Sequence, residues 1–267
     1  MKNLKIGFLG GGNMGGALAS AVAKSAATPD VLIFDIDKEK ADALAKKIGG
    51  RAVGIETLAK ESDFLFLGVK PQVMQAATKP LVPILEKREV RPVLVTMAAG
   101  LSIASIKSFT DSLCPVIRIM PNTPVSVSMG MIPYAVCDAV SDDAVKVFTS
   151  LLEKAGIVDP LKESLIDAAC AVSGSGPAYV AMMAEALADG GVASGLPRDK
   201  AILYAAQTLA GTAALILGGE HPAILKDKVT SPGGTTIAGV GALEDGGFRA
   251  AVENAVKAGY KRAKELS

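Results

Sequence analysis

The rhythm of hydrophobic and polar positions changes once along this chain. Over the first 160 residues, short apolar runs alternate with helical patterns. "LKIGFL" (4–9), "VLIFD" (31–35), "SDFLFLGV" (62–69), "RPVLVTMAAG" (91–100) and "CPVIRIMP" (114–121) read as buried strands. Between them, "NMGGALASAVAKSA" (13–26) predicts a helix of small residues, and "DKEKADALAKKIG" (37–49) one that stops at Gly49-Gly50. Alternation of this kind specifies an α/β fold with a doubly wound, mostly parallel sheet.

From about residue 161 the strand-like runs cease. "ESLIDAACAVSGSGPAYVAMMAEALADGGVASG" (163–195), "RDKAILYAAQTLAGTAALILGG" (198–219) and "FRAAVENAVKAGYKRAKEL" (248–266) are helical. Their alanines and glycines let helices approach closely, and the helices are apolar on more than one face. Roughly 105 residues of this kind cannot hide that surface alone, which predicts packing against a second subunit. Two domains are expected, 1–160 and 161–267, meeting near "DPLK" (159–162).

Charge and cysteine usage narrow the function classes. Lys+Arg (28) almost balance Asp+Glu (27), so no basic excess exists to neutralise phosphates and a nucleic-acid binder is not expected. Cys114, Cys137 and Cys170 are odd in number and widely spaced, which indicates neither a disulfide framework nor a metal site. Reduced cysteines in a cytoplasmic protein are the expectation. Lys2 and Lys5 flank a start with no apolar export segment. Ser175, Pro177, Glu185 and Asp189 interrupt the most apolar C-terminal segments, which therefore read as buried helices rather than membrane spans.

"GFLGGGNMGGAL" carries Gly10-x-Gly12-x-x-Gly15 directly after the first strand and before a helix. Gly10 permits the tight turn, Gly12 lets the backbone approach a pyrophosphate, and Gly15 allows close helix–strand packing. The pyrophosphate would sit among free N–H groups at the helix N-terminus, near Gly11, Asn13 and Met14. A Rossmann-type dinucleotide domain for NAD or NADP is the reading for 1–160. Asp35 ends the second strand twenty residues beyond Gly15. A carboxylate there accepts from ribose hydroxyls and repels a 2′-phosphate, favouring NAD; the alternative is that Asp35 caps the next helix. "GVKPQ" (68–72) and "MAAG" (97–100) fall at carboxyl ends of strands, where Val69, Lys70, Pro71, Ala98 and Ala99 are candidates for the nicotinamide-side crevice. A solvated surface lysine is the competing reading of Lys70.

"KVTSPGGTTIAG" (228–239) holds many hydroxyl and backbone donors and, after Lys228, no acid, base or cysteine. Pro232 cannot continue a helix and Gly233-Gly234 free the backbone. Thr235 and Thr236 stand at the start of the next helix, where threonine is a good N-cap and the first N–H groups lack internal partners. Such a neutral pocket suits a small carboxylate ligand; a plain capped helix start is the alternative.

The segment "ILKDKVTSPGGTTIAGVGALEDGGFR" (224–249) resembles the signature of the pyrroline-5-carboxylate reductase family almost throughout. "IRIMPNTP" (117–124) and "SGSGPAY" (173–179) are similar to two further motifs of that family, and with the glycine loop and "VKP" they keep its order over the full length. The resemblance implies reduction of 1-pyrroline-5-carboxylate to L-proline with NADPH or NADH, without a metal. It also implies a helical dimerisation domain and a homodimer or larger assembly of dimers. Substrate contacts carry over to Ser231, Gly234, Thr235 and Thr236, with Val229 beside the ring and Met120 near the nicotinamide. Thr236 matches the threonine placed by the substrate nitrogen, and the segment is expected to meet the partner's cofactor domain. Two departures stand out: Asp35, where NADPH-preferring members carry smaller polar or basic groups, and Lys228, where many relatives are uncharged. Lys228 either attracts the substrate carboxylate or points to water.

The only histidine, His221, lies between Glu220 and Pro222 and reads as structural. A β-hydroxyacid dehydrogenase or imine reductase is the competing enzyme, but "SLIDAACAVSGSGPAYVAMMAEAL" (164–187) lacks the lysine which the hydroxyacid pattern requires. A non-catalytic NAD(H) sensor is the competing class, and an intact donor segment counts against it.

Overall fold

A computed structural model describes residues 4–266 of the chain. The first part alternates as the apolar rhythm predicts: β1 (Lys5–Leu9), α1 (Asn13–Ala23), β2 (Asp30–Phe34), α2 (Lys38–Ile48), β3 (Arg51–Ala52), α3 (Ile55–Glu61) and β4 (Phe64–Leu67). Short turns α4 (Met74–Thr78) and α5 (Val82–Leu85) lead to β5 (Val93–Thr96), α6 (Ile103–Phe109), β6 (Val116–Ile119), β7 (Gly130–Val136), α7 (Asp142–Leu151) and β8 (Gly156–Pro160). The sheet order is β3-β2-β1-β4-β5-β6-β7-β8. β1 to β6 run parallel, while β7 pairs antiparallel with β6 and carries β8 parallel to itself.

β3, β7 and β8 were not anticipated, and each conceals its strand character. β3 is two residues long, β7 contains Pro133, and β8 is an edge strand ending in Asp159-Pro160. Proline removes a ladder donor and is expected only at edges or irregular positions. The helix stop at Gly49 is observed, with Gly49 left-handed at φ 71°.

Two apolar cores flank the sheet, because alternate residues of each buried strand face opposite sides. Phe8 and Phe66 stack on one face with ring centroids 4.7 Å apart, alongside Leu18, Val22, Ile117 and Ile119. Leu65, Leu67, Leu94, Val116 and Met120 lie on the other.

Past β8 the chain is helical: α8 (Ile166–Ala169), a π-helical turn at Cys170–Gly174, α9 (Gly176–Ala193), α10 (Arg198–Leu217), α11 (Pro222–Lys228), α12 (Thr235–Asp245) and α13 (Phe248–Glu265). Compactness divides the chain into a unit reaching Gly174 and including the residues from Gly259 onward, and a second unit of Ser175–Ala258. In the second unit only Ala188, Ala201 and Ala205 form a buried cluster. Met182 and Leu217 are 68% and 70% exposed, and Ile202, Leu203 and Leu215 are exposed with them. α10 is long and apolar enough to cross a membrane by length and composition. Surface of this extent needs a cover.

Cys114 is buried beneath the sheet, and burial raises its thiol to about 11, with Arg91 and Arg88 offsetting part of the effect. The folded chain therefore keeps the thiol neutral where the unfolded chain ionises it. This contribution to stability is complete below about pH 9 and is lost as pH rises toward 11. Urea denaturation of wild type and Cys114→Ala between pH 8 and 10.5 should show the wild type losing stability faster with pH; parallel curves would contradict the assignment.

Candidate functional site

The carboxyl ends of β1, β4, β5 and β6 lie side by side at the point where sheet order reverses, the position at which open α/β sheets hold ligands. Gly10 follows β1 with φ 102° and donates its amide to the Phe34 carbonyl at 2.7 Å. A side chain at Gly15 would strike the Gly10 carbonyl oxygen, whereas one at Gly12 would meet nothing within 4 Å. The three glycines have the geometry their spacing implies: a left-handed turn at Gly10, open space at Gly12 and close packing at Gly15.

Gly12 is also the N-cap of α1, without a side-chain cap, and the first turn contains no acidic residue. The amides of Asn13, Met14 and Gly15 point out of the helix start with the positive end of its dipole, so an anion fits there. Asp35, just past β2, accepts from Gly11 N at 2.8 Å through Oδ2 and from Asp37 N at 3.0 Å through Oδ1. Asp37, not Asp35, caps α2 by accepting from Lys40 N, and Lys40 holds the Asp37 carboxyl below its ordinary value. The glycine loop therefore fixes the Asp35 carboxylate, and two amides leave acceptor capacity on both oxygens.

A cleft of about 750 Å³ joins these parts, lined by Gly11, Gly12, Asn13, Asp35 and Lys40, and also by Ser126 and Ser128. The two serines were missed by sequence reasoning. They lie in the turn after β6 that includes the 3₁₀ segment Thr123–Val127, and Ser128 has φ 62°. The available signal was "NTP", a turn-forming run, but nothing in its order says that it folds back to α1.

At the neighbouring strand ends, Val69 is half-buried, Lys70 is exposed and Pro71 opens a single 3₁₀ turn. Ala98 is buried, its amide donating to Thr96 Oγ1 at 3.4 Å, while Ala99 is exposed. Met120 is buried, and its amide donates to the Pro133 carbonyl at 2.9 Å.

In the second unit, the donor-rich segment forms a turn in which Gly234 N donates to the Ser231 carbonyl at 3.1 Å and Gly233 has φ 68°. α12 begins at Thr235 with Gly234 as N-cap and no side-chain cap. The threonines are not caps but the first two residues of the helix, so their hydroxyls and the first-turn amides remain available together. A side chain at Gly234 would meet Ser231 Oγ, which would have to turn aside to admit it. Val229 is exposed beside this turn. The Lys228 ammonium, on a half-exposed side chain, pairs with both Glu220 oxygens, at 2.8 and 2.7 Å. His221 Nδ1 accepts from Ala223 N at the start of α11, a structural contact. The structure thus groups Gly10–Gly15 with Asp35, sets the β4, β5 and β6 ends beside one another, and gathers Val229, Ser231 and Gly234–Thr236. Among the described residues no group of three or more His, Cys, Asp or Glu is arranged to hold a metal ion.

Comparison with known proteins fits both halves. Residues 163–266 match the family described as pyrroline-5-carboxylate reductase dimerisation, and residues 5–100 match one described as NADP oxidoreductase, coenzyme F420-dependent. A pyrroline-5-carboxylate reductase of Synechocystis is 43% identical over 99% of this chain and 98% of its own length. The structure of Plasmodium falciparum pyrroline carboxylate reductase with NADP bound superposes with a TM-score of 0.88 at 31% identity, covering 100% of this chain and 99% of that one. The Coxiella burnetii pyrroline-5-carboxylate reductase structure gives 0.89 at 31% identity, with 98% of each chain covered.

Gly15→Ala forces a methyl group against the Gly10 carbonyl and should displace the loop. NADH binding, followed by fluorescence titration, is expected to weaken by about 10-fold or more, equivalent to 1.4 kcal/mol. Unchanged affinity would show that the close packing has no bearing on the cleft.

Proposed function

This chain belongs to the pyrroline-5-carboxylate reductase family, and from that premise we propose that it reduces 1-pyrroline-5-carboxylate to L-proline. It is an NAD(P)H-dependent oxidoreductase acting on a C=N bond. The observation that carries the substrate reading is the start of α12, where Thr235 and Thr236 follow a glycine cap and leave donors unspent. When bound, the reduced nicotinamide supplies a hydride to the imine carbon, the difficult part of the reaction.

What remains for the chain is holding and orienting. Ser231, Gly234 and Thr235 hold the substrate carboxylate with hydroxyl and amide donors at the positive end of α12. Val229 covers the ring. The Thr236 hydroxyl hydrogen-bonds the ring nitrogen and passes on or steadies the proton that makes the imine a strong acceptor. Positioning of this kind contributes several kcal/mol without a charged catalytic group. Gly10, Gly11, Gly12, Asn13, Met14 and Gly15 hold the dinucleotide phosphates, while Val69, Lys70, Pro71, Ala98, Ala99 and Met120 border its nicotinamide end.

For the cofactor we propose NADH over NADPH. Asp35, pinned by the Gly11 and Asp37 amides, offers its free lone pairs to two ribose hydroxyls and sets a fixed negative charge against a 2′-phosphate. A homodimer, or a larger assembly of dimers, supplies the cover for the exposed faces of α9 and α10, and the working form is a soluble cytoplasmic enzyme. In the dimer, the segment before α12 serves the partner's cofactor domain. Residues 161–267 are taken as the dimerisation and substrate domain.

Initial rates with pyrroline-5-carboxylate test the assignment. Thr236→Ala should lower kcat/KM by roughly 10-fold or more, the scale of one hydrogen bond lost in a transition state. A mutant as fast as wild type would remove the role of Thr236, and a wild type without turnover would remove the reductase reading. Asp35→Ser should raise the NADPH-to-NADH ratio of kcat/KM by about 10-fold or more in the same assay; an unmoved ratio would assign cofactor choice elsewhere.

A further inference from the structure

One cluster of buried charge plays no part in the chemistry above. Arg118, on β6, has a side chain only 4% exposed. Its guanidinium donates to Asp167 Oδ1 at 2.6 Å through Nη2, and Nη1 lies 3.6 Å from Glu163 Oε1. Lys264 Nζ stands 3.5 Å from the other Asp167 oxygen. Buried ion pairs are an inefficient source of stability, because an aliphatic side chain fills the same space without a desolvation cost. Nor is this one tuned for burial alone, since Arg118 Nε is buried without a hydrogen-bond partner. What an aliphatic replacement lacks is direction: a planar fork fixes the relative positions of the groups it joins.

Those groups border the proposed nicotinamide end. Arg118 lies on β6 and Met120 directly follows its end, in the same core cluster as Val116, which shares Arg118's face of the strand. Met120, Ala98 and Ile166 pack in one core cluster on that face. Across the β5–β6 ladder Arg118 is paired with Thr96, whose hydroxyl accepts the Ala98 amide. Glu163 Oε1, beside the guanidinium, also accepts the Ile103 amide at 2.6 Å, fastening the start of α6 and hence the far end of the 97–102 loop. The guanidinium thus joins β6 to the stretch 163–167, and through Glu163 it reaches the start of α6, just after the loop containing Ala98 and Ala99.

We propose that Arg118 is a positioning residue for hydride transfer, holding the walls of the nicotinamide crevice in register through Asp167 and Glu163. The inference rests on the reductase reading and adds a residue outside the substrate and phosphate contacts. Arg118 touches neither reactant. Its loss should misplace the reacting carbons by fractions of an ångström to an ångström while leaving the phosphate loop intact.

The test uses the full chain in its native assembly, with wild type, Arg118→Lys and Arg118→Met measured in parallel. Four quantities are read: kcat with pyrroline-5-carboxylate, NADH affinity by fluorescence, melting temperature, and the kinetic isotope effect with NADH deuterated at the transferred C4 position. The expected result is NADH affinity within about 3-fold of wild type and kcat lower by roughly 10- to 100-fold, the scale of a 1 Å misplacement. The isotope effect should rise as hydride transfer becomes more rate-limiting, and Arg118→Lys should recover part of kcat. If Arg118→Met does not fold, Glu163→Gln, which keeps an acceptor for Ile103 but loses the charge, carries the same four readouts and the same expectation. Unchanged kcat in a folded variant overturns the proposal. So does a loss of kcat that tracks melting temperature and NADH affinity with an unaltered isotope effect, the mark of a merely structural role. Either result beside an active wild type leaves the reductase reading standing; a wild type inactive with both NADH and NADPH overturns the reading and the proposal together.

Discussion

The N–H groups that open an α-helix find no partner inside it, and this chain treats them in two ways. α2, α6 and α7 close their first turns with the side chains of Asp37, Ser102 and Ser141. α1 and α12 begin on Gly12 and Gly234 with no side-chain cap. A glycine start is not enough by itself, since the seven-residue α3 also follows an uncapped Gly54. What sets α1 apart is the cleft before it and the Asp35 carboxylate fixed at its side. What sets α12 apart is the pair of threonines in its first turn. In the proposed function both starts serve as donor sites for anionic groups, a pyrophosphate at α1 and a small carboxylate at α12. Neither needs a charged side chain to do so.

That arrangement accounts for the shortage of conventional catalytic groups. An imine reduction driven by a nicotinamide needs alignment and one proton on nitrogen, not a strong base. Lys228 pairs with Glu220, and His221 Nδ1 accepts from Ala223 N at the start of α11, so both are engaged in local contacts. On the cofactor side, the Arg118 cluster joins β6 to the stretch 163–167 through Asp167 and Glu163, the positioning role proposed above.

Much of the fold was legible because its periodicity is strong. The strands around Phe8, Ile33, Leu65, Val95 and Ile117 are continuous apolar runs of buried parallel type, and Gly49 marks a helix end where αL geometry is required. β7 and β8 were obscured by Pro133, inside a strand paired on both sides, and Pro160, at the end of the edge strand, because their pairing is not encoded by local pattern. At the site, the glycine loop and Asp35 could be singled out from spacing. A strand–turn–helix–strand unit fixes how the end of β2 returns beside the loop after β1, where Asp35 accepts the Gly11 amide. Ser126 and Ser128 reach the cleft only because the turn after β6 folds back on α1, a long-range contact with no local signature. The threonine-cap expectation failed by one residue: Gly234 takes the cap, and Thr235 and Thr236 are the first two residues of α12. The exposed apolar faces of α9 and α10 were foreseen from composition, and they remain uncovered in the single chain.

Following the label most directly tests whether uncharged donors suffice because the nicotinamide performs the reduction. The chain would be incubated with pyrroline-5-carboxylate and NADH deuterated at C4 on the transferred face, and the proline analysed by mass spectrometry and NMR. The account predicts one deuterium per proline, on the former imine carbon. Proline formed without deuterium at that carbon would contradict it, because the hydrogen would then have come from solvent or from a group on the protein.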